Sequence, residues 1–357
     1  MSALRYEQEI LPGRVLFGPG RRVEVPRECQ ALGLRRLLVV GDPWLGQAVE
    51  ELIAGLGERC VATVTDVAQH VPAERAEACV ATAKEVSADG VVVVGGGSST
   101  GLAKIVGLEL GLPVVAIPTT LAGSEMTPIF GITEEGAKRT GRDLRVLPRV
   151  VVYDPELLVS LPAFLTAVSG MNALAHCAEA LWMPTATPVT DAVATEGITR
   201  LARGLPASVA RPADLDARAW ALSGAQLAGM AFGTLGSGLH HKACHLLGGS
   251  FGLPHAETHS SMLAHVAAYN AGSVPAAMER MSRALEAEGV EAPAALYDLA
   301  ASIGATTSLV ELGFREESIP EVVEALVSTP PPNPRPMDRD GLSAMLGAAC
   351  RGERPGG

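Results

Sequence analysis

The sequence predicts a parallel α/β domain over residues 1–155 followed by an all-helical domain over residues 156–357. Three observations predict it. Up to Tyr153, short and uniformly apolar runs such as Val91-Val92-Val93-Val94 alternate with helix-patterned stretches, as expected for parallel strands covered on both faces. Beyond Pro155 strand signals stop, and Ala- and Leu-rich text with helical spacing takes over. The length of 357 residues accommodates two domains of ordinary size.

In order, Arg14 to Gly18 reads as a strand and Phe17-Gly18-Pro19-Gly20 as a turn into a helix near residues 22–32. Strands follow at Arg36 to Val40, Cys60 to Thr65, Gly90 to Val94 and Pro113 to Ile117, alternating with helices at Pro43 to Leu56, Pro72 to Ala88 and Ser99 to Leu110. Gly131 to Arg145 suggests a hairpin turning at Glu134-Glu135-Gly136, ahead of a last strand at Val150 to Tyr153 and a stop at Asp154-Pro155. The helical half is broken near Met183-Pro184, Leu205-Pro206, Arg211-Pro212, Gly252 to Pro254 and Pro330 to Pro336. A short helix follows the last break, and Gly352 to Gly357 read as a disordered end.

A net charge of −11 and a pI near 5.3 argue against a nucleic-acid surface. No apolar run approaches the ~20 residues of a membrane span, and MSALRYEQEI lacks the features of a signal peptide. The six cysteines show no CxxC spacing and read as reduced, mostly buried thiols of a cytoplasmic protein.

Two features sit at carboxyl ends of strands, where open α/β sheets bind ligands. Val94 is followed by Gly95-Gly96-Gly97-Ser98-Ser99-Thr100, a glycine run opening a helix whose first N–H groups suit a pyrophosphate. The spacing is not GxGxxG, and a plain tight turn is the alternative. Asp42 is placed either to accept the 2′-hydroxyl of an adenosine ribose or to cap the helix starting at Pro43. After the strand ending at Ile117, Thr119, Thr120, Ser124 and Thr127 offer hydroxyls to the phosphates or nicotinamide.

The helical half concentrates its chemistry. Six of the eight histidines, His240, His241, His245, His255, His259 and His265, fall between Gly236 and His265. His241 and His245 are four apart, as are Asn172 and His176, so each pair shares a helical face, and the sets are expected to converge in one cleft with His255.

These stretches resemble the iron-containing alcohol dehydrogenase family and, within it, the maleylacetate reductases. The likeness rests on Gly95 to Ser98, Pro118 to Thr120, Ala122-Gly123-Ser124-Glu125-Met126-Thr127-Pro128 and Thr140-Gly141-Arg142-Asp143. It continues through Ser169-Gly170-Met171-Asn172-Ala173, His240-His241-Lys242, Leu253 to His259 and Asn333-Pro334-Arg335-Pro336. The resemblance implies a dehydroquinate synthase-like fold, a homodimer and NADH, or NADPH, as hydride source. It also implies a metal site of one Asp and three His, whose matching positions here are Asn172, His176, His241 and His255. Exchanging the carboxylate for a neutral amide weakens a divalent site, so the metal is expected to be absent or dispensable, with a residual three-histidine site at His176, His241 and His255.

The activity implied is reduction of the C=C bond of maleylacetate, or a closely related enone diacid, to 3-oxoadipate in aromatic-compound degradation. His241 or His245 is expected to donate the proton and contact the oxyanion, with Asn172, His176, Lys242, His255 and His259 gripping the dicarboxylate. Two rivals are a metal-dependent alcohol dehydrogenase of the same family and a dehydroquinate synthase-like lyase. Asn172 argues against the first, and the sparse lysines argue against the phosphate pocket of the second.

Overall fold

A computed structural model of the chain describes residues 6–134 and 137–356. The contacts divide the chain into two compact units, the first comprising Pro12–Pro162 and Pro212–Leu222. The second comprises the stretch before Pro12, Ala163–Arg211 and the chain from Ser223 onward.

The first unit is built in the alternation expected. Its elements are β1 (Arg14–Phe17), α1 (Val25–Ala31), β2 (Leu37–Gly41), α2 (Gly46–Leu56), β3 (Cys60–Val64), α3 (Ala73–Glu85), β4 (Gly90–Gly95), α4 (Gly97–Leu110) and β5 (Val114–Pro118). A hairpin, β6 (Ile129–Glu134) and β7 (Ala137–Arg142), precedes β8 (Val150–Tyr153). The main sheet has six parallel strands in the order β1-β8-β5-β4-β2-β3. The runs in β2, β4, β5 and β8 are buried along their whole length, because helices on both faces leave no solvent side for a polar residue. β3 is an edge strand and is only partly covered. Glu135 and Gly136 of the expected hairpin turn lie outside the described residues, while β6 and β7 pair antiparallel on either side.

The second unit is all-helical: α5 (Ala163–Trp182), α6 (Pro188–Ala210), α7 (Leu215–Leu235), α8 (Leu239–Phe251), α9 (His255–Asn270), α10 (Pro275–Ala284), α11 (Ala292–Ser302), α12 (Ile319–Ser328) and α13 (Arg339–Arg351). The first eight residues of α7 group with the first unit.

α8 stops at Gly252, inside the break expected over Gly252 to Pro254, and the φ of 70° there suits a residue without a Cβ. Two expectations are corrected here. α6 runs through Pro206 instead of breaking there. The chain end is ordered to Gly356: Gly352 caps α13 in the left-handed region, and Arg354 makes two bonds of 2.7 Å to Asp298. All six cysteines are free thiols, and no helix among the described residues is long and apolar enough to cross a membrane.

Candidate functional site

In the first unit, β4 delivers the chain into the glycine run, and α4 begins at Gly97, two residues earlier than expected. Gly95 must be glycine: a Cβ there would come within 2.5 Å of Ser99 Oγ and 2.8 Å of Asp42 Oδ2. The Asp42 carboxylate accepts the Gly96 N–H at 3.0 Å and the Ser99 hydroxyl, and it caps no N–H of the turn that follows it. The capping role expected for Asp42 is therefore corrected, since its oxygens are drawn across to the glycine turn. The first i→i−4 bond of the helix, Thr100 N–H to Gly96 O, leaves the N–H groups of Gly97, Ser98 and Ser99 ahead of it without a carbonyl partner inside the helix. Thr119 is buried and its N–H bonds Gly95 O at 3.0 Å, while the half-buried Thr120 stands over Gly96.

Ser124 and Thr127 are committed elsewhere. Lys104, fully buried on α4, points its Nζ at five oxygens: Ser124 O (2.6 Å), Ser124 Oγ (3.3 Å), Thr127 O (2.8 Å), Thr127 Oγ1 (3.1 Å) and Ile129 O (2.8 Å). The hydroxyls expected to line the cofactor instead fold the loop around an ammonium, because a buried cation must be satisfied by oxygen. Burial pulls Lys104 down to about 7, and the buried Glu125 opposes that shift. Glu125 is itself pushed up by burial and accepts the Tyr153 hydroxyl at 2.7 Å.

In the second unit the histidines form two layers. Asn172, His176 and Glu179 lie along α5 at spacings of four and three, Phe232 comes from α7, His240, His241 and His245 from α8, and His255 and His259 from α9. His176 stacks on His241 with centroids 4.9 Å apart, and Phe232 stacks on both at 4.5 and 4.2 Å. His245 lies 6.1 Å from His241 and stacks on His255 at 6.0 Å. These two rings and Lys242 are half-buried, whereas His176, His240, His241 and His259 are buried. His265 stands apart, edge-on to Tyr297 at 6.5 Å.

The expectation that His259 grips substrate is corrected: the residue is 0% exposed and its Nδ1 is bonded to His240 Nε2 at 2.9 Å. With Cys244, whose Sγ is 3.7 Å from His240 Nε2, this pair forms an inner layer. Its ligand atoms all lie within 4.8 Å of one another, the one group of three among the described residues that could surround an ion.

Glu179 went unnoticed in the sequence, although it is the single charged residue of α5 and follows His176 by three. It bonds His241 Nδ1 through Oε2 at 2.5 Å and accepts the His240 N–H through Oε1 at 2.7 Å. Phe232 carried no signal in the sequence. Burial dominates the electrostatics: His240 and His241 are both pulled down to about 3, His176 and His259 fall well below the usual imidazole value, and Glu179 is pushed up. These four rings are neutral, so they supply polarity and shape but no countercharge. Asn172 Oδ1, His176 Nδ1 and His241 Nε2 are buried without a hydrogen-bond partner, as are His240 Nδ1 and His259 Nε2.

A family model described as "Iron-containing alcohol dehydrogenase" matches residues 12–155, and one described as "Fe-containing alcohol dehydrogenase family, C-terminal" matches residues 166–350. The chain is 46% identical over 355 residues to a maleylacetate reductase of Burkholderia cepacia, covering 99% of this chain and 100% of that one. The crystal structure of a maleylacetate reductase from Agrobacterium tumefaciens superposes with a TM-score of 0.94 at 39% identity, covering 99% of this chain and 100% of the other. A sulfoacetaldehyde reductase from Bifidobacterium kashiwanohense, in complex with NAD+, superposes with a TM-score of 0.86 at 26% identity over 97% of this chain and 98% of its own.

Proposed function

The chain belongs to the iron-containing alcohol dehydrogenase family, and from that premise we propose that it is a maleylacetate reductase that uses NADH to reduce the C=C bond of its substrate to give 3-oxoadipate. The full-length likeness to maleylacetate reductases is the observation that carries this reading. Its place is the cytoplasmic breakdown of aromatic compounds, as a homodimer. In this reading residues 1–155 hold the dinucleotide and residues 156–357 carry the catalytic groups.

Hydride adds to the carbon β to the ketone, charge moves onto the ketone oxygen as an enolate, and the α carbon then takes a proton. One NADH and one proton are consumed per double bond reduced. His245, half-buried beside the neutral rings of His241 and His259, is assigned the proton donor and oxyanion contact. Because the inner rings are neutral, Lys242 is the cation for a substrate carboxylate, and Asn172, His176 and His255 complete the grip by hydrogen bonding.

The family's iron would fall to His176, His241 and His255, with the unpartnered Asn172 Oδ1 and His241 Nε2 available and Glu179 behind His241 as the carboxylate that metal-bound imidazoles commonly have, whereas the three residues whose ligand atoms lie together are His240, Cys244 and His259. When bound, it would supply Lewis-acid polarisation of a carbonyl oxygen. Asn172 offers a neutral amide where the family has a carboxylate, and conjugation already spreads the enolate charge, so we propose that turnover does not depend on the ion.

Following NADH absorbance with maleylacetate, against a panel of aldehydes and ketones, tests the activity. Consumption with maleylacetate alone is expected, and preference for simple aldehydes would refute the assignment. Metal analysis with an assay after chelation tests the second point: activity is expected to survive, and stoichiometric metal whose removal abolishes turnover would refute it.

Asp42 gives a further expected result. Asp42→Ala removes both acceptors of the glycine turn and the carboxylate that repels a 2′-phosphate, so KM for NADH rises about tenfold while discrimination against NADPH falls. Steady-state kinetics with both coenzymes measures it, and an unchanged NADH/NADPH ratio would separate Asp42 from coenzyme choice.

A further inference from the structure

We infer that the first unit carries a binding site for a small uncharged ring molecule, of the size of benzene, in a cavity between α1, α2 and the sheet. The sequence of α2 leaves the space. Ala48, Leu52 and Gly55 are four and three apart, so they share one stripe of the helix, and all three line the cavity. Two of the three are too small to reach the strands below. The floor is Val94 of β4 and Ile117 of β5, both buried, and the opposite wall is Pro26 of α1.

The resulting cavity measures about 140 Å³. Close-packed interiors leave few voids larger than a water molecule, so a space of this size is unusual in a native domain. An apolar cavity of about 150 Å³ stays dry and admits benzene or xenon. Size and lining therefore select a single apolar ring.

The rim selects against charge. Arg22 and Glu51 line the cavity and meet there, Arg22 Nε lying 3.5 Å from Glu51 Oε2. The same guanidinium bonds Asp154 Oδ2 at 2.9 Å and Glu156 Oε2 at 2.5 Å. One cation is thus shared among three acids and is not free for a carboxylate ligand, while the surplus of acids repels an anion. A dicarboxylate substrate is excluded on both grounds.

The site is also separate from the glycine turn. Parallel strands are joined by right-handed crossovers, and the order β1-β8-β5-β4-β2-β3 makes the β1-to-β2 and β2-to-β3 connections run one way across the sheet. The β3-to-β4 and β4-to-β5 connections run the other way. α1 and α2 therefore cover one face and pack on each other, and α3 and α4 cover the opposite face. The cavity lies under α1 and α2, behind the strands that lead to Gly95 and Thr119.

The experiment is crystallography of the full chain under xenon and after exposure to benzene, paired with thermal unfolding. Density for both probes is expected between α1 and α2. Benzene should raise the melting temperature by about 1–3 °C, and sodium benzoate should not raise it. Ala48→Leu extends a larger side chain from the lining and is expected to exclude both probes and to lose the benzene shift. Saturating NADH should leave benzene in place. A cavity empty under both probes, an equal shift with benzoate, a benzene shift retained in Ala48→Leu, or displacement of benzene by NADH would each overturn the inference. If Ala48→Leu fails to fold, the wild-type density decides the site and the benzoate comparison decides the class of ligand.

Discussion

His245→Ala is expected to lower kcat for maleylacetate reduction by about two to four orders of magnitude, the range for loss of a positioned general acid, with KM for NADH unchanged. The expectation comes from contrast within one helix. His240 and His241 are buried. His245 is half-buried, and its ring faces His241, His255 and His259 at 6.0 to 6.4 Å. It is therefore the α8 imidazole placed to meet a ligand. Stopped-flow single turnovers would show hydride transfer and protonation slowed together, because the enolate builds up without its stabilising donor. Turnover equal to the parent enzyme would remove His245 from the mechanism.

The second large effect concerns stability. Lys104→Met removes a buried donor that three backbone carbonyls and two hydroxyls share inside the first unit, and the cost is expected to be about 3–5 kcal/mol. The side chains are close in length, so little of the loss comes from packing. The loop that carries Ser124 and Thr127 would lose its anchor, and the buried Glu125 would lose the opposing charge beside it. Thermal unfolding and limited proteolysis between Gly123 and Ile129 measure the change. A melting temperature within a degree or two of the parent would show that the ammonium is not what holds this loop.

Much of the first unit was legible because parallel strands must be apolar along their length. Val91 to Val94 and Val114 to Ile117 declare themselves as runs, and Gly95 marks where the sheet gives way to a glycine turn. The histidine layer was legible as composition and spacing, since Asn172, His176, His241 and His245 follow the helical period. Its depth was not. His259 and His255 are adjacent on one face of α9, and only the packing of α8 decides which of them is buried. Hydroxyl direction was equally hidden, because Ser124 and Thr127 look like ligand contacts until a lysine twenty residues earlier in sequence is found to occupy them. Glu179 illustrates a third limit: its partner on α8 begins sixty residues later, and its own helix gives no reason for a charge.

Asp42 also bears on attempts to re-engineer the enzyme for the other coenzyme. Its carboxylate is shared between coenzyme discrimination, as proposed, and the scaffolding of the turn, through Gly96 N–H and the Ser99 hydroxyl. A single exchange to a small neutral residue is therefore expected to relax selectivity and loosen the glycine turn together. A useful switch to NADPH has to be a coupled design, replacing Asp42 with a side chain that tolerates a 2′-phosphate while Ser99 is changed to a group that no longer needs an acceptor. Gly95 stays fixed throughout, since the space a Cβ would need is already filled by the two partners being redesigned.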